Sequence, residues 1–171
     1  MNKELKTIIE NLNGNVLGIG LDEKLINYIE DNNNILECNL LESKIKGKKT
    51  CFFARTKTIK IKKIRKVFKK KKVDYIICNY EDIYKYLNTF VKDSIYINKN
   101  KLYFYGNVDV ELINKKYQRY ETVIDVKKYS GNYIVTIDNS KAKNNYFKDL
   151  YYRIFDFISN LIIIIGDTLM N

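Results

Sequence analysis

The sequence predicts an α/β fold: a mostly parallel sheet, closed by an antiparallel hairpin and followed by an added C-terminal helix. Three observations predict it. Short apolar runs alternate with stretches of helical periodicity through the first two thirds of the chain. Two period-two segments flank Ser130-Gly131-Asn132, and a stripe at spacings of three and four runs from Phe147 to Ile165. Alternating strand and helix favours parallel strands joined by right-handed crossovers, and the late hairpin adds an antiparallel edge. At 171 residues with 46% hydrophobic side chains, the chain is long and apolar enough for one core. It is therefore read as a single domain over residues 1–171, with a core in 1–140 and the amphipathic helix in 141–171.

The elements follow in order. Leu5, Ile8, Ile9 and Leu12 recur at helical spacing, which predicts a helix over residues 2–12, ended by Asn13-Gly14. NVLGIG, residues 15–20, is a short apolar strand bounded by glycines. Leu21, Leu25, Ile26 and Ile29 then give the next segment a helical stripe. After the turn signal Asn32-Asn33-Asn34, ILECNLL (35–41) reads as a strand. A short strand is expected around Cys51–Ala54, and Ile61, Ile64, Val67 and Phe68 predict a helix over 59–71 with lysines around its other faces. VDYIICN (73–79) reads as a buried strand. Ile83, Tyr86, Leu87 and Phe90 suggest a helix over 81–92, followed by strands at 94–97 and 101–105 with Asn98 and Asn100 marking a turn between them. A short helix is expected over 109–120, and residues 122–129 and 133–138 form the hairpin. The C-terminal stripe makes about five helical turns and needs a covering surface, either the sheet, as an ordinary core helix, or a second copy; the homodimer through that helix is the preferred reading.

Composition removes several chemistries. The chain has no His, which excludes Ser-His and Cys-His catalysis and zinc-histidine sites. Cys38, Cys51 and Cys78 are odd in number and widely spaced, so reduced thiols are expected and neither a disulfide framework nor a metal site. The first residues lack the apolar core of a signal peptide, and charges interrupt the LIIII run before it reaches the ~20 residues of a membrane span, so the reading is cytoplasmic.

The net charge of +11 is local. Residues 43–72 hold fifteen Lys or Arg and no Asp or Glu, leaving 16 basic against 20 acidic side chains elsewhere. Such a segment repels itself unless an anionic partner or solvent screens it. RNA is the preferred partner, with Lys62, Lys63, Arg65, Lys66, Lys69 and Lys70 along a phosphate backbone and Arg55 near Phe52 and Phe53 to stack bases. An anionic membrane surface and a solvated lysine face are the alternatives.

The order of elements over about residues 1–140, with VLGIG (16–20), ILECN (35–39) and VDYIICNY (73–80), resembles the class I S-adenosylmethionine-dependent methyltransferases. The resemblance implies a Rossmann-like sheet. It also implies S-adenosylmethionine as cofactor, held by Gly18 and Gly20 of the turn, by Asp22 and by Asn39, which stands where the family has a ribose-binding acid. Asn79 and Tyr80 stand where amino-methylating members hold the target nitrogen. Asp22 and Glu23 at a helix N-terminus would repel a phosphate, whereas a sulfonium cofactor with an ammonium group tolerates them. The implied activity is methyl transfer to RNA or another nucleic acid. The alternative is a non-catalytic RNA-binding or assembly module on the same fold.

Overall fold

The structure, a computed structural model, describes residues 3–41, 51, 52, 68, 73–142, 151, 154 and 158. The chain opens with α1 (Lys3–Glu10), which buries Leu5 and Ile9, and then β1 (Gly14–Ile19). Helix α2 (Glu23–Glu30) follows with Leu25, Ile26 and Ile29 inward, and β2 (Ile35–Leu41) returns beside β1. A two-residue strand β3 (Cys51–Phe52) pairs with the end of β2. Strand β4 (Val73–Asn79) leads into a short α3 (Tyr80–Ile83), a 3-10 turn (Tyr84–Tyr86) and α4 (Leu87–Ile97). Strand β5 (Asn98–Gly106), α5 (Val110–Tyr117), a second 3-10 turn (Gln118–Tyr120) and the hairpin β6 (Val123–Tyr129) and β7 (Asn132–Asp138) complete the described fold.

The seven strands form one sheet in the order β3-β2-β1-β4-β5-β7-β6. Strands β1 to β5 are parallel, and β7 joins β5 antiparallel, as does β6 with β7. The expected α/β class with an antiparallel hairpin is therefore present. Because successive strand residues point to opposite faces, neighbours along one strand serve two cores. Leu17, Ile76, Phe104 and Val135 face α3, α4 and α5, while Val16, Ile77, Tyr103 and Ile134 face α1 and α2.

Two expectations fail at one place. Residues 94–97 belong to α4 rather than to a strand, and Asn98 and Asn100 lie within β5 rather than in a turn. Leu87, Phe90, Val91, Ser94 and Ile95 share a buried helix face, and Ser94 Oγ donates back to the Val91 carbonyl at 2.9 Å. The helix runs straight into the strand, with Asn98 already extended at φ −85°, ψ 132°. The expected basic helix over 59–71 lies outside the described residues except for Phe68, which is buried in the core. Of the C-terminal stripe, Tyr151, Ile154 and Ile158 are described; each is helical and exposed. No helix among the described residues is long and apolar enough to cross a membrane.

Candidate cofactor and substrate site

From β1 the chain crosses to β2 on one side, and β4 lies on the other, so the order of strands reverses between β1 and β4. The crevice beyond the carboxyl ends of the strands at such a reversal is where open α/β sheets bind ligands. Here Ile19 is level with Cys78, and Asn79 is level with Tyr105 of β5.

Beyond Ile19 the chain turns through Gly20 at φ +61°. A Cβ at this position would stand 2.0 Å from Asp82 Oδ2 and 2.7 Å from its Cγ, so the carboxylate of α3 lies directly on the glycine turn. Tyr105 closes the site from β5 by donating its hydroxyl to the Gly20 carbonyl at 3.2 Å. Burial pushes the Tyr105 pKa well up, and the negative forms of Cys78, Asp22 and Asp82 push it further. Its hydroxyl is therefore a protonated donor throughout the physiological range.

The sequence-predicted residues fall around this centre as follows. Gly18 is a buried strand residue level with Leu40 on one side and Ile77 on the other. Asp22 is exposed and caps α2, its Oδ1 accepting the Leu25 N–H at 2.8 Å. Asn39 pairs with Leu17, two residues short of Leu41, which is level with Ile19. Asn79 caps α3, its Oδ1 accepting the Glu81 N–H at 3.1 Å, and Gly106 stands beside it. The Tyr80 ring is buried, edge-on to Phe104 at 6.1 Å between centroids and tilted against Tyr84. Burial raises the Tyr80 pKa, and Asp109 adds to the rise. Arg55, Lys62, Lys63, Arg65, Lys66, Lys69 and Lys70 lie outside the described residues.

No protein-family model and no curated protein sequence matches the chain. Solved structures do. TrmK of M. capricolum, crystallised with S-adenosyl-homocysteine, superposes with a TM-score of 0.58 at 13% identity, over 97% of this chain and 87% of that one. Sp1610 of Streptococcus pneumoniae, a candidate tRNA (m1A22) methyltransferase crystallised with S-adenosyl-L-methionine, gives a TM-score of 0.56 at 13% identity, over 87% of this chain and 78% of that one. The predicted O-methyltransferase Atu636 of Agrobacterium tumefaciens gives 0.51 at 8% identity, over 78% of this chain and 79% of that one. This chain has the class I methyltransferase fold.

On this methyltransferase fold the residues gathered at the glycine turn suit a positively charged ligand. Asp82 brings a carboxylate directly onto the turn, and Asp22, two residues past Gly20, brings a second at the start of α2. Anionic groups are repelled there, so a dinucleotide phosphate does not suit this turn. Asp82 and Tyr105 escape a reading of the sequence. Asp82 is three residues past Asn79 in a segment whose visible signal is helical, and Tyr105 is one of 15 tyrosines. The one signal for each is register, since Asp82 follows β4, the neighbour of β1, and Tyr105 stands on β5, level with Asn79 at the end of β4.

The caps allow charge and structure to be separated. Asn caps a helix about as well as Asp, whereas Ala costs about 1 kcal/mol. Asp22→Asn should therefore leave stability within roughly 0.5 kcal/mol, the dipole contribution included, and Asp22→Ala should cost about 1 kcal/mol. Urea unfolding followed by circular dichroism checks both. Equal losses for the two variants would show that the carboxylate does more in the folded chain than cap α2.

Proposed function

We propose that the chain is an S-adenosylmethionine-dependent methyltransferase acting on RNA, a single cytoplasmic domain that dimerises through its C-terminal helix. The observation that carries the reading is the meeting of Gly20, Asp82, Tyr105 and Asn79 at the strand-order reversal of this fold. Residues and cofactor chemistry fit each other there. When bound, S-adenosylmethionine supplies an electrophilic methyl group on a sulfonium centre, and it carries an ammonium group but no phosphate.

Asp82 and Asp22 would then hold the ammonium, with the Gly20 carbonyl as a further acceptor and Gly18 and Asn39 contributing from the strands that lead to the turn. Asn79 orients the acceptor group through its amide nitrogen, since its oxygen is committed to the α3 cap. The Tyr80 ring acts from below, by fixing the first turn of α3, which carries Asp82. Catalysis of this kind rests on orientation of the two reactants more than on acid–base work. RNA as substrate is supported by the fifteen uncompensated positive charges of residues 43–72, among them Arg55, Lys62, Lys63, Arg65, Lys66, Lys69 and Lys70, and by the likeness to Sp1610. Dimerisation is supported by the exposed apolar residues Tyr151, Ile154 and Ile158 on one helix face.

Titration calorimetry with S-adenosylmethionine tests the enzyme reading. A saturable heat is expected for the wild-type chain, and Asp22→Asn should weaken binding about tenfold, equivalent to about 1.4 kcal/mol. No heat at millimolar cofactor would overturn it. One observation favours a non-catalytic RNA-binding module instead: the Asp22 and Asn79 oxygens both serve as helix caps. Absence of cofactor heat, together with loss of RNA binding on changing the lysines of 69–72 to glutamate, would establish that second reading.

A further inference from the structure

The sheet carries a second hollow at its opposite edge. It is a groove of about 560 Å3 between α1 and the amino-terminal ends of β4 and β5, with the end of β7 as its far wall. Asn11 enters it from α1, Tyr75 from β4, Lys101 and Tyr103 from β5, Lys127 from β6 and Asp138 from β7. The register explains this gathering. Tyr75 is level with Lys101, and Lys101 is level with Asp138. Lys127 is level with Ile134, which is level with Tyr105. Alternate residues of β5 share a face, so Lys101, Tyr103 and Tyr105 form one row, and Tyr105 is the residue that touches Gly20. That row spans about 13 Å, at about 3.3 Å per residue, and its middle member, Tyr103, is buried in the core shared with α1 and α2.

The chemistry of the groove is particular. Tyr75 is half-buried at the groove wall, while Tyr103 is almost fully buried. Burial first, and then Tyr75 and Asp138, push the Tyr103 pKa up to about 12, which keeps its hydroxyl a donor. Lys101 and Lys127 are exposed ammonium groups. Asn100 and Asn11 each supply an amide, and the Asn11 nitrogen already donates to the Thr7 carbonyl at 2.7 Å. Asp138 is the one carboxylate among the described lining residues, and it is already engaged. Its Oδ1 accepts the Ser140 N–H at 2.9 Å and the Ser140 hydroxyl at 2.6 Å. Burial works against its charge, but those bonds with Lys101 and Lys141 hold its pKa below the usual carboxylate value.

Aromatic faces, amide groups and paired ammoniums are the set that reads bases and phosphates of single-stranded nucleic acid. The groove lies within the ~300–1,000 Å3 range of small-ligand sites, which suits one nucleotide rather than a protein helix. Its polar, concave form does not suit a membrane surface, which needs a projecting apolar face.

We propose that this groove holds a nucleotide of a single-stranded RNA, read by Tyr75, Asn11, Lys101 and Lys127. The inference rests on the reading of RNA as partner and adds a site that would hold one of its nucleotides.

The test uses the full-length chain and a decamer of RNA carrying 4-thiouridine, cross-linked by long-wavelength light and mapped by mass spectrometry. Cross-links are expected at Tyr75, Lys101 or Lys127, and their absence from all three overturns the proposal. A Lys101→Glu and Lys127→Glu double variant should bind the decamer about tenfold more weakly. It should also reduce the slope of log affinity against log salt by roughly 1.4, at about 0.7 per phosphate for single strands. The milder change of both lysines to glutamine should give the same direction, and wild-type affinity in both variants overturns the proposal. Uridine monophosphate that displaces the decamer at equal concentration would overturn the strand assignment in favour of a free nucleotide. Cofactor calorimetry on the same variants keeps the readings apart. Lost RNA binding without any cofactor heat in the wild type leaves the groove standing and removes the methyltransferase.

Discussion

Gly20→Ala is expected to cost roughly 2–5 kcal/mol of folding stability, and Asp82→Ala is expected to rescue part of that loss. Two separate penalties meet at this position. The backbone is left-handed at φ +61°, which costs an alanine about 1–2 kcal/mol. The new methyl group also collides with the carboxylate of Asp82, at 2.0 Å from Oδ2 and 3.1 Å from Cβ, so α3 must yield as well as the carboxylate tip. Overpacking of that kind costs about 1–3 kcal/mol. For a chain of this size the sum lowers Tm by roughly 5–15 °C. The double variant keeps the backbone penalty and the 3.1 Å approach to Cβ but loses the collisions with Oδ2 and Cγ, so the two changes should be less harmful together than their sum by about 1–2 kcal/mol. Urea unfolding of the four chains completes the cycle. Additivity within about 0.5 kcal/mol would show that Asp82 does not press on the turn. Under the methyltransferase reading Gly20→Ala also abolishes the cofactor heat, because the carboxylate it displaces is one of the two that hold the ammonium.

The same pair marks the limit of what could be read from sequence. Strands β2 and β4 begin and end at the residues their apolar runs predict, because Asn32-Asn33-Asn34 and the lysines before Val73 mark where burial starts. The glycine turn and the Asn79 strand end were legible for the same local reason. The α4–β5 junction was not, since Ile95 and Ile97 are β-branched and Asn98 and Asn100 are turn residues by type. Burial against Tyr117, whose hydroxyl lies 2.8 Å from Ser94 Oγ, holds that stretch helical against its local preference. Asp82 and Tyr105 join the site only through tertiary register, Tyr105 reaching Gly20 across 85 residues of chain. Local periodicity holds no record of such a contact. The groove at the opposite edge is a product of register in the same way, as Tyr75, Lys101 and Asp138 come from three separate strands.

Phe104→Ala should be the most destabilising of the simple core truncations, by about 3–5 kcal/mol. Phe104 is fully buried in the middle of β5 and meets three rings edge-on: Tyr80 at 6.1 Å, Phe90 at 5.9 Å and Tyr117 at 5.9 Å between centroids. Each such contact contributes about 0.5–1.5 kcal/mol beyond the area it buries. Phe104→Leu keeps most of the volume and loses the ring edges, so it should fall between the wild type and the alanine variant. Tyr117→Phe, which removes only the hydroxyl bonded to Ser94, should cost about 1 kcal/mol, because Ser94 retains its bond to Val91. That order, alanine well below leucine and leucine near or below Tyr117→Phe, is read from urea midpoints at constant slope. A loss under about 1.5 kcal/mol for Phe104→Ala would mean that the ring cluster is not closely packed. The consequence then reaches the site, since Tyr80 is the first residue of α3, and α3 carries Asp82 onto Gly20. With its buttress removed, α3 is free to shift, and the carboxylate loses its fixed place on the glycine turn while the strands of the sheet stay paired. Phe104→Ala should therefore weaken cofactor binding even under conditions where the chain remains folded, although no atom of Phe104 belongs to the site.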